Sequence, residues 1–183
     1  MLRMKKRVLE TRKLTVLALL IALVVVFTRF LSFENQDLRI SATFIPETLM
    51  GMLFGPFWTG IGSVIADTVG ILLFPKTGAY FPGFTLNAFI TGAIYGFFYY
   101  KKEITWPRVI TATLLVTVIV HLILTPLWLG MLYNIDLKIL AWWVPRIIKN
   151  LIFFPIQVAA TYYMGTRISY KQLIERVTAS YNK

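Results

Sequence analysis

Arg146, Asn150, Phe153 and Gln157 fall at i, i+4, i+7 and i+11, so a helix through them carries all four on one face, with Lys149 beside them. The surrounding sequence is apolar, and in lipid such residues are costly: Arg, Lys or Asp at a helix centre costs about 2.5–3.5 kcal/mol on translocon scales. Arg29, at the end of the first apolar run, is a third cation of this kind. Cations gathered at one level of a membrane bundle form a site for an anion, and arginine holds a carboxylate with two parallel hydrogen bonds. A lone Arg146 or Lys149 can instead reach to the headgroups. A whole polar stripe on one face argues for an inward-facing site.

Two acids, Glu47 and Asp67, also fall within apolar runs. Asp67 either pairs with a cation, accepts hydrogen bonds from a ligand ring, or links helices. The segment Gly78-Ala-Tyr80-Phe-Pro-Gly-Phe84-Thr85-Leu-Asn87 mixes aromatics with Pro and Gly. It suits a stacking lid over a flat ligand, with Thr85 and Asn87 supplying directional polarity; the simpler reading is an interfacial aromatic belt.

The elements that position these residues are predicted to be six membrane-spanning helices in a single membrane domain, 1–183, an all-α integral membrane protein. The apolar runs place the spans at about 14–31, 42–54, 57–74, 83–100, 109–131 and 141–166. The second is short and ends at the turn signal Gly55-Pro56; a broken or re-entrant helix is tolerated only where its open backbone is buried in protein or lines a cavity. The fifth is expected to be interrupted near Pro126, and the sixth contains Pro155. The first run, longer than a signal-peptide core and followed by no small-x-small cleavage site, reads as a retained helix. No fixed-period repeat is apparent.

Composition agrees. Hydrophobic residues make up 57% of the 183, against about 45–50% apolar in soluble domains, and the mean hydropathy is +0.70. The net charge of +11 is concentrated: 13 of the 19 Lys and Arg lie in the N-terminal segment (Arg3, Lys5, Lys6, Arg7, Arg12, Lys13), at Lys101, Lys102 and Arg108, and in the tail (Arg167, Lys171, Arg176, Lys183). All three places fall on one side of a six-span arrangement, which puts both termini in the cytoplasm. The charge sets topology and does not indicate nucleic-acid binding, which wants a basic face on a soluble fold.

Chemistry of other kinds is scarce. Without cysteine there are no thiolate metal sites or thiol catalysis, and His121 is the single histidine. There is no Walker-type phosphate loop, so ATP hydrolysis is not expected in this chain. Gly62, Ala66 and Gly70 form a small-residue ridge, and Ala18 and Ala22 a shorter one, suited to close helix approach inside the protein or against a partner.

Over nearly its whole length the chain resembles the substrate-binding S components of energy-coupling-factor (ECF) vitamin transporters, and within them the folate-specific branch. The resemblance is carried by the basic N-terminus, Ala18-Leu-Leu-Ile-Ala22, Ala66-Asp67, Tyr80-Phe-Pro-Gly-Phe-Thr-Leu-Asn87 and Pro145-Arg-Ile-Ile-Lys-Asn150. It implies a multi-pass protein of the bacterial cytoplasmic membrane that captures folate or reduced folates outside. It also implies docking through Ala18 and Ala22 onto a membrane scaffold subunit that works with two ATPases. No cofactor and no enzymatic activity are implied. Arg29, Arg146 and Lys149 then suit the glutamate tail, with Asn150 on the same face. Tyr80, Phe84 and Trp128 suit the rings, while Asp67, Asn87 and Gln157 suit the pterin edge. The alternatives are another vitamin, riboflavin or thiamin, or a small membrane scaffold or enzyme.

Overall fold

The computed structural model describes residues 2–34, 39–75, 81–134 and 140–167, with side chains at 11–32, 41–75, 81–134 and 142–167. Among these residues the chain forms five continuous helical stretches and one short hairpin. α1 (Leu2–Arg29) leads into strands β1 (Ser32–Glu34) and β2 (Arg39–Ser41), paired antiparallel with Ser32 opposite Ser41 and Glu34 opposite Arg39. The sequence reading treats this stretch only as a loop, since three-residue strands are too short to show an alternating pattern. Ser41 Oγ ties the hairpin to α1 by donating to the Phe27 carbonyl at 2.9 Å.

α2 (Phe44–Leu73) is two helical arms, 44–54 and 56–73, that meet at Gly55. Gly55 has φ +80° and ψ 180°, a conformation that only glycine adopts without strain, and Pro56 opens the next arm. The bend is sharp. In a straight helix residues 50 and 62 would be about 18 Å apart, yet a Cβ placed on Gly62 would lie 2.7 Å from Met50 Sδ. The first arm folds back along the second.

α3 (Pro82–Tyr99) starts with proline in its first turn, where the missing N–H costs nothing. It packs along α2 with almost no side-chain layer between them. A Cβ on Gly92 would lie 2.7 Å from the Thr59 carbonyl oxygen, and one on Gly96 would lie 2.5 Å from the Gly55 carbonyl carbon. Gly92-x-x-x-Gly96 is thus a small-residue seam that lets two backbones touch.

The next stretch joins α4 (Trp106–Leu115), a π-helical segment (Val116–Leu124) and α5 (Thr125–Tyr133) without a break. Here the structure corrects the expected interruption near Pro126. A proline ring clashes with the carbonyl four residues earlier in an α-helix. The wider π turn moves the bonding back one residue: both the N–H of Thr125 and its Oγ1, the latter at 2.7 Å, donate to the Val120 carbonyl. α5 ends at Asn134, which is left-handed at φ +51°.

α6 (Leu140–Arg167) completes the bundle, antiparallel to α4, with Trp106 stacked on Tyr162 at 4.1 Å and Ile104 against Gly165. One core of buried Met52, Tyr95, Tyr99, Val109, Val116 and Val158 joins α2, α3, α4 and α6. A second core, with Leu17, Leu20, Val24, Val25, Met50 and Ala66, joins α1 to α2.

The outer surface is apolar. Leu19, Phe57, Leu72, Phe97, Leu151 and Tyr163 are all exposed, and the helices 11–29, 44–73 and 106–133 are long and apolar enough to cross a membrane. Polar side chains turned inward with apolar ones outward is the arrangement a lipid solvent requires.

Candidate functional site

α6 shows the inversion most clearly. Val144, Ile147, Ile148, Leu151, Ile152 and Ile156 are exposed on one side, whereas Arg146 is only 4% exposed, and Lys149, Asn150, Phe153 and Gln157 are half-buried. Arg146 therefore does not reach out to headgroups. Its guanidinium carbon lies 3.6 Å from the centre of the Trp142 ring, one helical turn earlier.

Two further groups gather at the same end of the bundle. In the first, Arg29 reaches from the end of α1 onto Gly70 of α2, where a Cβ would lie 2.9 Å from its Nε. One turn before Gly70, Asp67 Oδ2 accepts a 2.9 Å hydrogen bond from Thr85 Oγ1 on α3. Asp67 and Thr85 thus link α2 to α3, one helical turn from the point where Arg29 meets α2. In the second, Trp128 covers Gly83 so closely that a Cβ there would lie 2.5 Å from the indole. Phe81 lies 5.7 Å from Trp128 and 6.1 Å from Phe84, ring centre to ring centre. These three aromatics form a wall around the start of α3.

Asn87 holds that wall in place. It is 7% exposed; its Oδ1 accepts from Trp128 Nε1 at 3.0 Å, and its Nδ2 donates to Thr125 Oγ1 at 3.1 Å. Asn87 is thus hydrogen-bonded within the protein and positions Trp128. Gln157 is likewise engaged by the protein: its Nε2 donates to the Tyr95 hydroxyl at 2.7 Å. It also lies eleven residues, or about 16 Å of helix, beyond Arg146. Tyr80 lies outside the described residues. Thr125, Phe81 and Trp142 enter the site without having been singled out in the sequence. Trp142 had a visible signal, since it precedes Arg146 by four residues and so continues the polar stripe by one turn.

The two small-residue ridges face opposite ways. Ala66 is buried, and Gly62 and Gly70 meet Ile21 and Arg29 of α1, so that ridge is internal packing. Ala18 and Ala22 are exposed on the side of α1 turned away from α2. Among the described residues no cluster of three His, Asp or Glu could hold a metal ion.

A helical membrane bundle with a buried arginine, a carboxylate and an aromatic wall at one end has the makings of a ligand-binding transport protein. The chain belongs to the family described as ECF transporter, substrate-specific component, whose match covers residues 12–165. The family is a transporter component that selects substrate, not an enzyme. Among its relatives, the folate transporter FolT of Clostridium novyi (strain NT) is 41% identical over 167 residues, spanning 91% of this chain and 95% of that protein. FolT of Leuconostoc mesenteroides is 38% identical over 160 residues, 85% of each. A crystal structure of FolT bound with folic acid superposes with a TM-score of 0.83 at 65% identity, covering 86% of this chain and 94% of that one.

Proposed function

We propose that this protein is the folate-binding S component of an ECF-type transporter, taking folate or reduced folates from outside the cell. The observation that carries the reading is Arg146, a guanidinium buried on the inward face of α6 at the end of the bundle that also holds Arg29, Asp67 and the Phe81–Phe84–Trp128 wall. Folate has complementary parts: a dianionic glutamate tail, an aromatic linker and a flat pterin. In this reading Arg146, Arg29 and Lys149, with Asn150, hold the tail. Phe84 and Trp128, with Tyr80, stack on the rings, and Asp67 and Thr85 meet the pterin edge. The similarity to a FolT bound with folic acid supports the same ligand.

The two arms of α2 count as two spans in this proposal, which makes six in one membrane domain, 1–183, of a bacterial cytoplasmic membrane. Arg12 and Lys13, Lys101 and Lys102, Arg108 and Arg167 lie at the end opposite the site. The positive-inside rule then places that end and both termini in the cytoplasm, and the site outside. A thermal-unfolding panel in detergent tests the ligand: folic acid at about 100 times its dissociation constant should add roughly 2.7 kcal/mol of stability. Riboflavin and thiamin should add nothing measurable. Stabilisation by one of those and not by folic acid overturns the assignment.

The exposed Ala18–Ala22 face is proposed to meet the membrane scaffold subunit, with two ATPases supplying the energy. Replacing both alanines by tryptophan should leave folate affinity within about twofold, because both face away from the bundle, while coupled uptake in liposomes falls by tenfold or more as close helix approach is blocked. Unchanged uptake would remove this face from the contact.

A further inference from the structure

We propose that Trp142 is a ligand-binding residue of this site. Its ring sets the plane of the Arg146 guanidinium, and its indole N–H donates to the other carboxylate of the anionic tail that Arg146 holds. This rests on the reading that an anionic tail is bound at Arg146, and it names a partner in that binding.

Three observations carry it. First, the guanidinium carbon sits 3.6 Å from the ring centre. At that separation the two planes lie face to face, since a guanidinium aiming an N–H into the ring would hold its carbon further out. A stacked guanidinium directs its donors sideways, and this edge-on fork is the one that receives a carboxylate. Side chains on a helix lean toward its N-terminus, so Arg146 is placed over Trp142 by the helix itself.

Second, the ring is itself fixed. Trp143 meets it edge-on at 5.4 Å with an interplanar angle of 89°. Third, Trp142 Nε1 is buried and has no hydrogen-bond partner among the described residues. A tryptophan near a membrane surface ordinarily turns its N–H toward headgroups or water, whereas a buried donor without a partner carries an uncompensated desolvation cost. A donor kept at that cost, on the same helix face as a buried guanidinium, marks where an acceptor atom of a ligand belongs.

The test compares folate with pteroate, which ends at the aminobenzoate carboxylate and has no glutamate tail, by titration calorimetry on the purified full chain. Trp142→Phe keeps a stacking ring and loses the N–H; it should weaken folate by about tenfold, the effect of one hydrogen bond to a charged acceptor. Trp142→Leu loses both contributions and should weaken folate by about 100-fold. Pteroate should stay within about threefold in each. If the leucine variant does not fold, the phenylalanine comparison decides alone. Equal losses for the two ligands, or phenylalanine indistinguishable from wild type, overturn the proposal and leave the folate reading standing. A wild-type chain that binds no folate overturns both.

Discussion

Replacing Arg146 by alanine is expected to weaken folate by about 30- to 1,000-fold and pteroate by only a few-fold. The side chain is 4% exposed, so a carboxylate held there would be withdrawn from water as well. Truncating one partner of a buried, hydrogen-bonded charge pair costs about 2–4 kcal/mol, much of it from leaving the other charge unpaired, and each 1.4 kcal/mol is tenfold. Pteroate has no tail and so nothing to lose at this position. Arg146→Lys should fall between, near tenfold, because an ammonium keeps the charge but has neither the planar fork nor the face that stacks on Trp142. Calorimetric titration of both ligands into the three proteins checks this. Equal losses for folate and pteroate would remove Arg146 from the tail.

The largest expected effect on stability lies elsewhere, at Gly96→Val. A Cβ there would lie 2.5 Å from both the Gly55 carbonyl carbon and the Pro56 nitrogen bonded to it. Both neighbours are backbone, and Gly55 is held in its positive-φ corner. Nothing flexible can move aside, so α3 must separate from the bend of α2, opening the seam at Gly51 and Gly92 as well. Overpacking ordinarily costs about 1–3 kcal/mol, and backbone contact places this substitution at or above the top of that range. Gly165→Ala is the control: the nearest neighbours of its added methyl are side-chain atoms of Ile104, not backbone, and the expected loss is below about 1 kcal/mol. Thermal unfolding in detergent ranks the two. Equal stability would mean that the glycine seam does not hold α3 to α2.

Periodicity and turn chemistry were legible in the sequence. The inward face of α6 follows from spacing alone, since Arg146, Asn150 and Gln157 fall on one side and Ile148, Leu151 and Ile152 on the other. Gly55-Pro56 announces a corner because the two residues favour the backbone angles a corner needs. The direction of a small-residue ridge was not legible. Ala18 and Gly62 are equally suited to close contact, and the difference arises because Leu17, Leu20 and Val24 turn the other side of α1 toward α2. Pro126 misled for a physical reason: a π turn absorbs a proline as well as a break does, and composition does not distinguish them. The bonds Asn87–Trp128 and Gln157–Tyr95 link residues 41 and 62 positions apart. No local pattern encodes such pairings, so the protein partners of these two polar residues could not be read from the sequence. Gly92-x-x-x-Gly96 and Trp142 had readable spacing. Their importance depends on what lies opposite, which only the folded chain supplies.

If one end of this bundle holds folate, the vitamin should travel with the protein through purification. The protein would be purified in mild detergent from cells grown in folate-containing medium, and its bound small molecules released and identified by mass spectrometry. The expected result is folate or a reduced folate, approaching one per chain, and depleted when Arg146 is replaced by alanine. A different vitamin in that stoichiometry, or no folate at all from a folded preparation that also fails to take up added folic acid, would contradict it.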